Sequence, residues 1–74
     1  IMDIQQFIVS FAEAIEVEDI STLTPNTKFH DLAEWSSLAA LSVVAMFDEE
    51  FEKILTNAEL RATETIQDLY NLSK

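Results

Sequence analysis

The chain has 74 residues, with no cysteine, no glycine, a single proline and 49% apolar residues. Fourteen acids against four bases give a net charge of −10, which disfavours nucleic acids and anionic membrane surfaces, because their phosphates would be repelled. The length suits one small helical domain, 1–74, and the apolar fraction is too high for a disordered tail.

Without cysteine there is no disulfide framework, no thiolate nucleophile and no cysteine metal site. A partner with a basic patch suits so acidic a surface, which speeds encounter more than it adds affinity. Solubility alone accounts for the charge about as well. No apolar run approaches the roughly 20 residues that cross a bilayer. The opening "IMDIQQ" lacks the basic start and long apolar stretch of a signal peptide, so a cytoplasmic location is expected. Ile1 ahead of Met2 is set aside as foreign to the domain.

The near absence of chain breakers points to helices and argues against hairpins. Asp3 caps a first helix, and Gln6 three residues on completes a capping-box-like pair. Ile4, Phe7, Ile8, Phe11 and Ile15 follow at helical spacing, and this helix is expected to end within residues 16–18. Residues 19–34, "DISTLTPNTKFHDLAE", read as a long ordered loop around Pro25, anchored by Ile20, Leu23, Phe29 and Leu32. A second helix begins at Ser36 or Ser37 and runs to about Phe51. Thr56 with Glu59 starts a short third helix. Thr65 with Asp68 starts a fourth that turns Ile66, Leu69 and Tyr70 inward. The expected architecture is all-α: a four-helix bundle of three longer helices and one short, with a long first loop.

The second helix carries the chemistry. At about 100° per residue, Ala40, Val43, Val44, Phe47 and Phe51 cluster on a core face. Leu38 lies nearly opposite, in line with Ser42, Ala45 and Glu49, while Ser37, Leu41 and Asp48 lie between the two stripes. Ser36 is placed to cap the helix. That leaves Ser37 as its first residue, with a free hydroxyl near the positive end of the helix dipole. A phosphodiester there would gain from that dipole and from unpaired amides.

The order "SSL", then "AALSVVAMFDEEF", preceded by "LTPNTKFHDLAEW" and followed by "TIQDLYNL", resembles an acyl carrier protein over nearly the whole chain. The family's motif is Asp-Ser-Leu at the start of its second helix. The resemblance implies a covalent 4′-phosphopantetheine on Ser37, added by a phosphopantetheinyl transferase. Its thiol would hold an acyl or aminoacyl group for enzymes of fatty-acid or related biosynthesis. It further implies that Leu38, Ser42, Ala45, Asp48 and Glu49 form the face that docks partner enzymes with basic patches. Val43, Met46, Phe47 and Ile66 would line a space for a stored acyl chain, and a monomer is the simplest expectation. The sequence departs from the family at Ser36, where the family has Asp, and at Ser42, where an acid is common.

The rival readings are weaker. His30, Asp31 and Ser37 supply the residue types of a hydrolytic triad, but no Gly-x-Ser-x-Gly elbow is present, so no enzyme activity is expected. The acids of "DEEFE" lack the calcium-loop pattern, and no metal site is expected. The alternative of another class is an unmodified small helical module for protein–protein interaction.

Overall fold

The computed structural model describes residues 3–74, so Ile1 lies outside the described residues. Four helices form: α1 (Ile4–Ala14), α2 (Ser37–Phe51), α3 (Asn57–Ala62) and α4 (Ile66–Leu72). Two 3-10 turns, Ile20–Thr22 and Phe29–Asp31, interrupt the crossover from α1 to α2. Among the described residues there is no strand, only an isolated antiparallel bridge between Lys28 and Thr65. The fold is all-α with a long first connection, as the patterning requires. No described helix is long and apolar enough to cross a membrane.

The helix starts follow from local chemistry. Asp3 and Gln6 cap each other's backbone amides at 2.9 and 3.0 Å, and Thr56 and Glu59 do the same at 3.1 Å in both directions. At α4 the Asp68 amide donates to Thr65 Oγ1 at 3.1 Å, while the amides of Glu64 and Thr65 both donate to Asp68 Oδ2 at 3.3 Å. Those two backbone donors hold the Asp68 carboxyl below its ordinary pKa, because they favour the charged form. With only six and seven residues, α3 and α4 would not persist alone in water. Caps worth about 1 kcal/mol each, together with packing, hold them.

α1 stops at Ala14, short of the expected 16–18. The Val17 amide turns back to the Ala12 carbonyl at 2.9 Å, and Glu16 takes a left-handed conformation with φ 61°. This closure ordinarily employs glycine. A chain without glycine uses glutamate instead, at a steric cost on the order of 1 kcal/mol. α2 ends the same way, with Glu52 at φ 54° and the amides of Glu52 and Lys53 both reaching the Phe47 carbonyl.

Two aromatic groups fill the interior. Phe7 meets Phe47, Phe51 and Tyr70 with ring centres 6.1, 5.9 and 5.4 Å away, joining α1, α2 and α4. Phe11 meets Phe29 at 5.7 Å, and Phe29 meets Trp35 edge-on at 4.9 Å. Each buried ring contributes about 2–3 kcal/mol of transfer free energy, and the edge-on pairs add to it. Of the expected loop anchors, Leu23 and Phe29 are buried and Leu32 is half-buried. Ile20 is not an anchor: it is 39% exposed. It opens a surface turn capped by Asp19, which accepts the Ser21 amide at 3.1 Å; Trp35, half-buried, packs against the core from the end of the crossover.

The buried stripe of α2 is rotated from the expected one. Ala39, Val43, Met46 and Phe47 are buried, whereas Ala40, Val44 and Phe51 are half-buried. α1 packs on the side of Ala39 and Met46, and an open cleft borders Ala40.

The second half of the crossover is bonded to the α3–α4 connection. The Phe29 amide donates to the Glu64 carbonyl at 3.3 Å, Ile66 to Thr27 at 3.1 Å and Gln67 to Pro25 at 2.9 Å. These bonds fix the backbone that leads into α2.

Candidate functional site

The two serines at the head of α2 do different things. Ser36 is extended, with φ −158° and ψ 175°, and its hydroxyl accepts the Ala39 amide at 3.1 Å. Its carbonyl takes the Ala40 amide at 2.9 Å. Ser37 is the first residue of α2 and is exposed, and its hydroxyl bonds to no group among the described residues. The amides of Ser37 and Leu38 also find no acceptor among the described residues. The first turn of α2 therefore presents one free hydroxyl and two free donors, with no acid in that turn to oppose an anion.

Next to it Leu38 projects with 73% of its surface exposed. Ala45, Asp48 and Glu49 are exposed further along. Ser42 is half-buried, and its hydroxyl donates to the Leu38 carbonyl at 3.1 Å, so its polar group is spent within the helix. The expected face is therefore brought together on α2, with Ser42 as a spacer. Glu50, also exposed, accepts the Ser10 hydroxyl at 3.1 Å.

His30 does not form a triad with Asp31 and Ser37. Its Nε2 lies 2.9 Å from the Thr63 carbonyl. A carbonyl can only accept, so Nε2 carries the proton. The ring also packs 4.3 Å from Phe29 and 5.3 Å from Trp35. The imidazole joins the crossover to the end of α3, and the Ser37 hydroxyl has no base bonded to it.

Periodicity along α2 did not reveal the cleft that opens at Ser37. It has a volume of about 420 Å³, a wall of Trp35, Ala40, Leu41 and Leu60, and a polar rim of His30, Ser37, Asn57 and Arg61. Leu41 is 63% exposed. Asn57 and Arg61 lie one turn apart on α3, and this i, i+4 spacing beside the buried Leu60 is the sequence signal that was available. The residues expected to line a space for an acyl chain, Val43, Met46, Phe47 and Ile66, are at most 4% exposed; Val43, Phe47 and Ile66 border none of the described clefts, and Met46 borders only the acidic one with Glu13, Glu49 and Glu50, away from Ser37. They are packed core, filled by the aromatic contacts of Phe7 and its neighbours.

No protein-family model, curated protein or solved structure matches this chain. The functional reading rests on the geometry at Ser37 and on the motif order of the sequence.

Proposed function

We propose that this chain is a carrier of acyl groups, with Ser37 as the attachment point of a 4′-phosphopantetheine arm. The observation that supports it is the Ser37 hydroxyl: exposed, unbonded, at the first position of a helix whose cap is supplied by another residue. In the attachment step a transferase would bring coenzyme A. A bond forms between Ser37 Oγ and the phosphorus of the arm, the pyrophosphate bond breaks, 3′,5′-adenosine diphosphate leaves, and the serine proton passes to a base on the transferase. The site suits the product, because the free amides of Ser37 and Leu38 and the helix dipole favour a phosphodiester.

The arm brings a thiol, which is far more acidic than an alcohol and therefore a better leaving group from an acyl carbon. The protein's residues then present rather than react. Leu38 offers an apolar knob to a partner enzyme, and Asp48 and Glu49 offer charge to a basic patch on it. Fatty-acid or related biosynthesis is the setting that the motif order supports.

Intact mass tests the reading. After co-expression with a broad-specificity phosphopantetheinyl transferase the chain is expected to gain one arm, and Ser37→Ala to abolish the gain. An unchanged mass would favour the unmodified interaction module.

A further inference from the structure

We propose that the cleft beside Ser37 receives the end of the arm when the cargo is a short acyl group terminating in a carboxylate. This inference rests on the carrier reading of Ser37 and names its cargo class. The supporting observation is where charge is absent. The chain has fourteen acids, and each of the three other described clefts holds at least two of them: Glu16 and Glu34, Glu49 and Glu50, or Asp31 and Glu64. The cleft at Ser37 is lined by no acid, and its one cation is Arg61.

Arg61 has no carboxylate, carbonyl or ring partner among the described residues. In a chain with only four bases, an unpaired guanidinium on the one acid-free cleft among those described is a receptor for an anion. Its planar fork matches a carboxylate with two parallel hydrogen bonds. Asn57, one turn earlier, adds amide donors. The wall of Leu41, Leu60 and Trp35 gives the methylene groups behind the carboxylate an apolar surface.

Packing limits the length of the cargo. About 420 Å³ is enough for a small ligand. In the core, Val43, Phe47 and Ile66 are 0, 1 and 0% exposed and line no part of the cleft, so a long aliphatic chain leaving it for the interior meets packed side chains. An aminoacyl group would bring an ammonium towards Arg61 with no acid on the cleft to receive it.

The pair is open to solvent, so its strength is that of a surface ion pair. Tethering raises the local cargo concentration to roughly the millimolar range, which makes a weak pair count. The phosphodiester of the arm is a second anion near the same guanidinium. The comparison therefore has to be between arms that differ only in their last group.

The test loads Ser37 with succinyl- or pentanoyl-phosphopantetheine from the matching coenzyme A thioesters, verifies loading by intact mass, and records backbone amide shifts against the free-thiol form. Succinyl is expected to shift Asn57, Arg61 and His30 about two to five times more than pentanoyl at low salt, with the ratio falling towards one at high salt. Arg61→Gln is expected to remove the difference. Equal shifts from the two groups, or pentanoyl shifts centred on Val43, Phe47 and Ile66, would overturn the cargo class while leaving the carrier reading intact. Absence of any mass gain would overturn the carrier reading and this inference with it.

Discussion

Ser36 and Ser37 are neighbours in the chain, yet they open onto different sides of the molecule. Ser36 borders a cleft with Ala14 and Ile15, and Ser37 borders one with Asn57 and Arg61. Successive positions of a helix diverge by about 100°, and the extended backbone at Ser36 turns its hydroxyl onto the Ala39 amide. One serine is thereby used to start α2, and the next is left with nothing to do for stability.

This division predicts opposite outcomes for two similar substitutions. Ser36→Ala is expected to lower stability by about 1 kcal/mol, a loss of roughly 4–8 °C in Tm for a domain of this size. Ser37→Ala is expected to stay within about 0.5 kcal/mol of the parent while abolishing attachment of the arm. Ser36→Asp keeps the cap, so its stability is expected to match that of the parent. Denaturant titration and the time course of the mass gain check all three.

On the outer face of α2, Asp48→Lys with Glu49→Lys is expected to slow association with a basic partner enzyme, most of all at low ionic strength. Leu38→Ala is expected to act instead on the lifetime of the complex, because it removes an apolar contact rather than a field. Stopped-flow association at two salt concentrations separates these effects. Acyl loading that ignores all three substitutions would place the docking face elsewhere.

The left-handed glutamates offer a stabilising route. Glu16→Gly and Glu52→Gly relieve the contact between Cβ and backbone at φ 61° and 54°. Each is expected to raise stability by about 0.5–1 kcal/mol, and the two gains are expected to add because the helix ends are separate. Glu16→Ala, which keeps the Cβ, is expected to give no such gain. Thermal melts of the singles and the double decide it.

Asp68 ties stability to pH. Its folded pKa lies below the ordinary value of 3.8, held there first by the Thr65 amide and then by the Glu64 amide. A depressed pKa contributes stability that is fully present above 3.8 and is lost as pH falls through the lower, folded value. The advantage of the parent over Asp68→Asn is therefore expected to be constant near neutrality and to shrink on acidification below that range. Melting both proteins across pH measures it, and a gap independent of pH would assign the role of Asp68 to hydrogen bonding alone.

Ten excess negative charges repel one another in the folded state. Adding moderate salt is expected to raise Tm by a few degrees through screening. A flat response in differential scanning calorimetry would show that self-repulsion does not limit this fold.

What could be read from the sequence was local. The three helix starts at Asp3, Thr56 and Thr65 and the cap at Ser36 depend on residues three apart, and all lie where the spacing places them. The end of α1 was not legible, because the left-handed position is occupied by Glu16, which carries none of glycine's signal. The rotated stripe of α2 depends on where α1 packs, and a single helical wheel does not contain that information. For the same reason Arg61 and Asn57 could not be joined to Ser37 in advance. They lie on α3, whose placement is set by Leu60, by the aromatic interior and by His30 reaching Thr63.

The bonds between residues 25–30 and 63–67 also order events during synthesis. The crossover leaves the ribosome well before the segment it pairs with, and its amides and carbonyls must wait, hydrated, until that segment emerges. Ser37 therefore reaches its final setting late, when the rest of the fold is nearly assembled. A modifying enzyme that recognises the finished helix start is thereby confined to acting after residues 63–67 have emerged and paired.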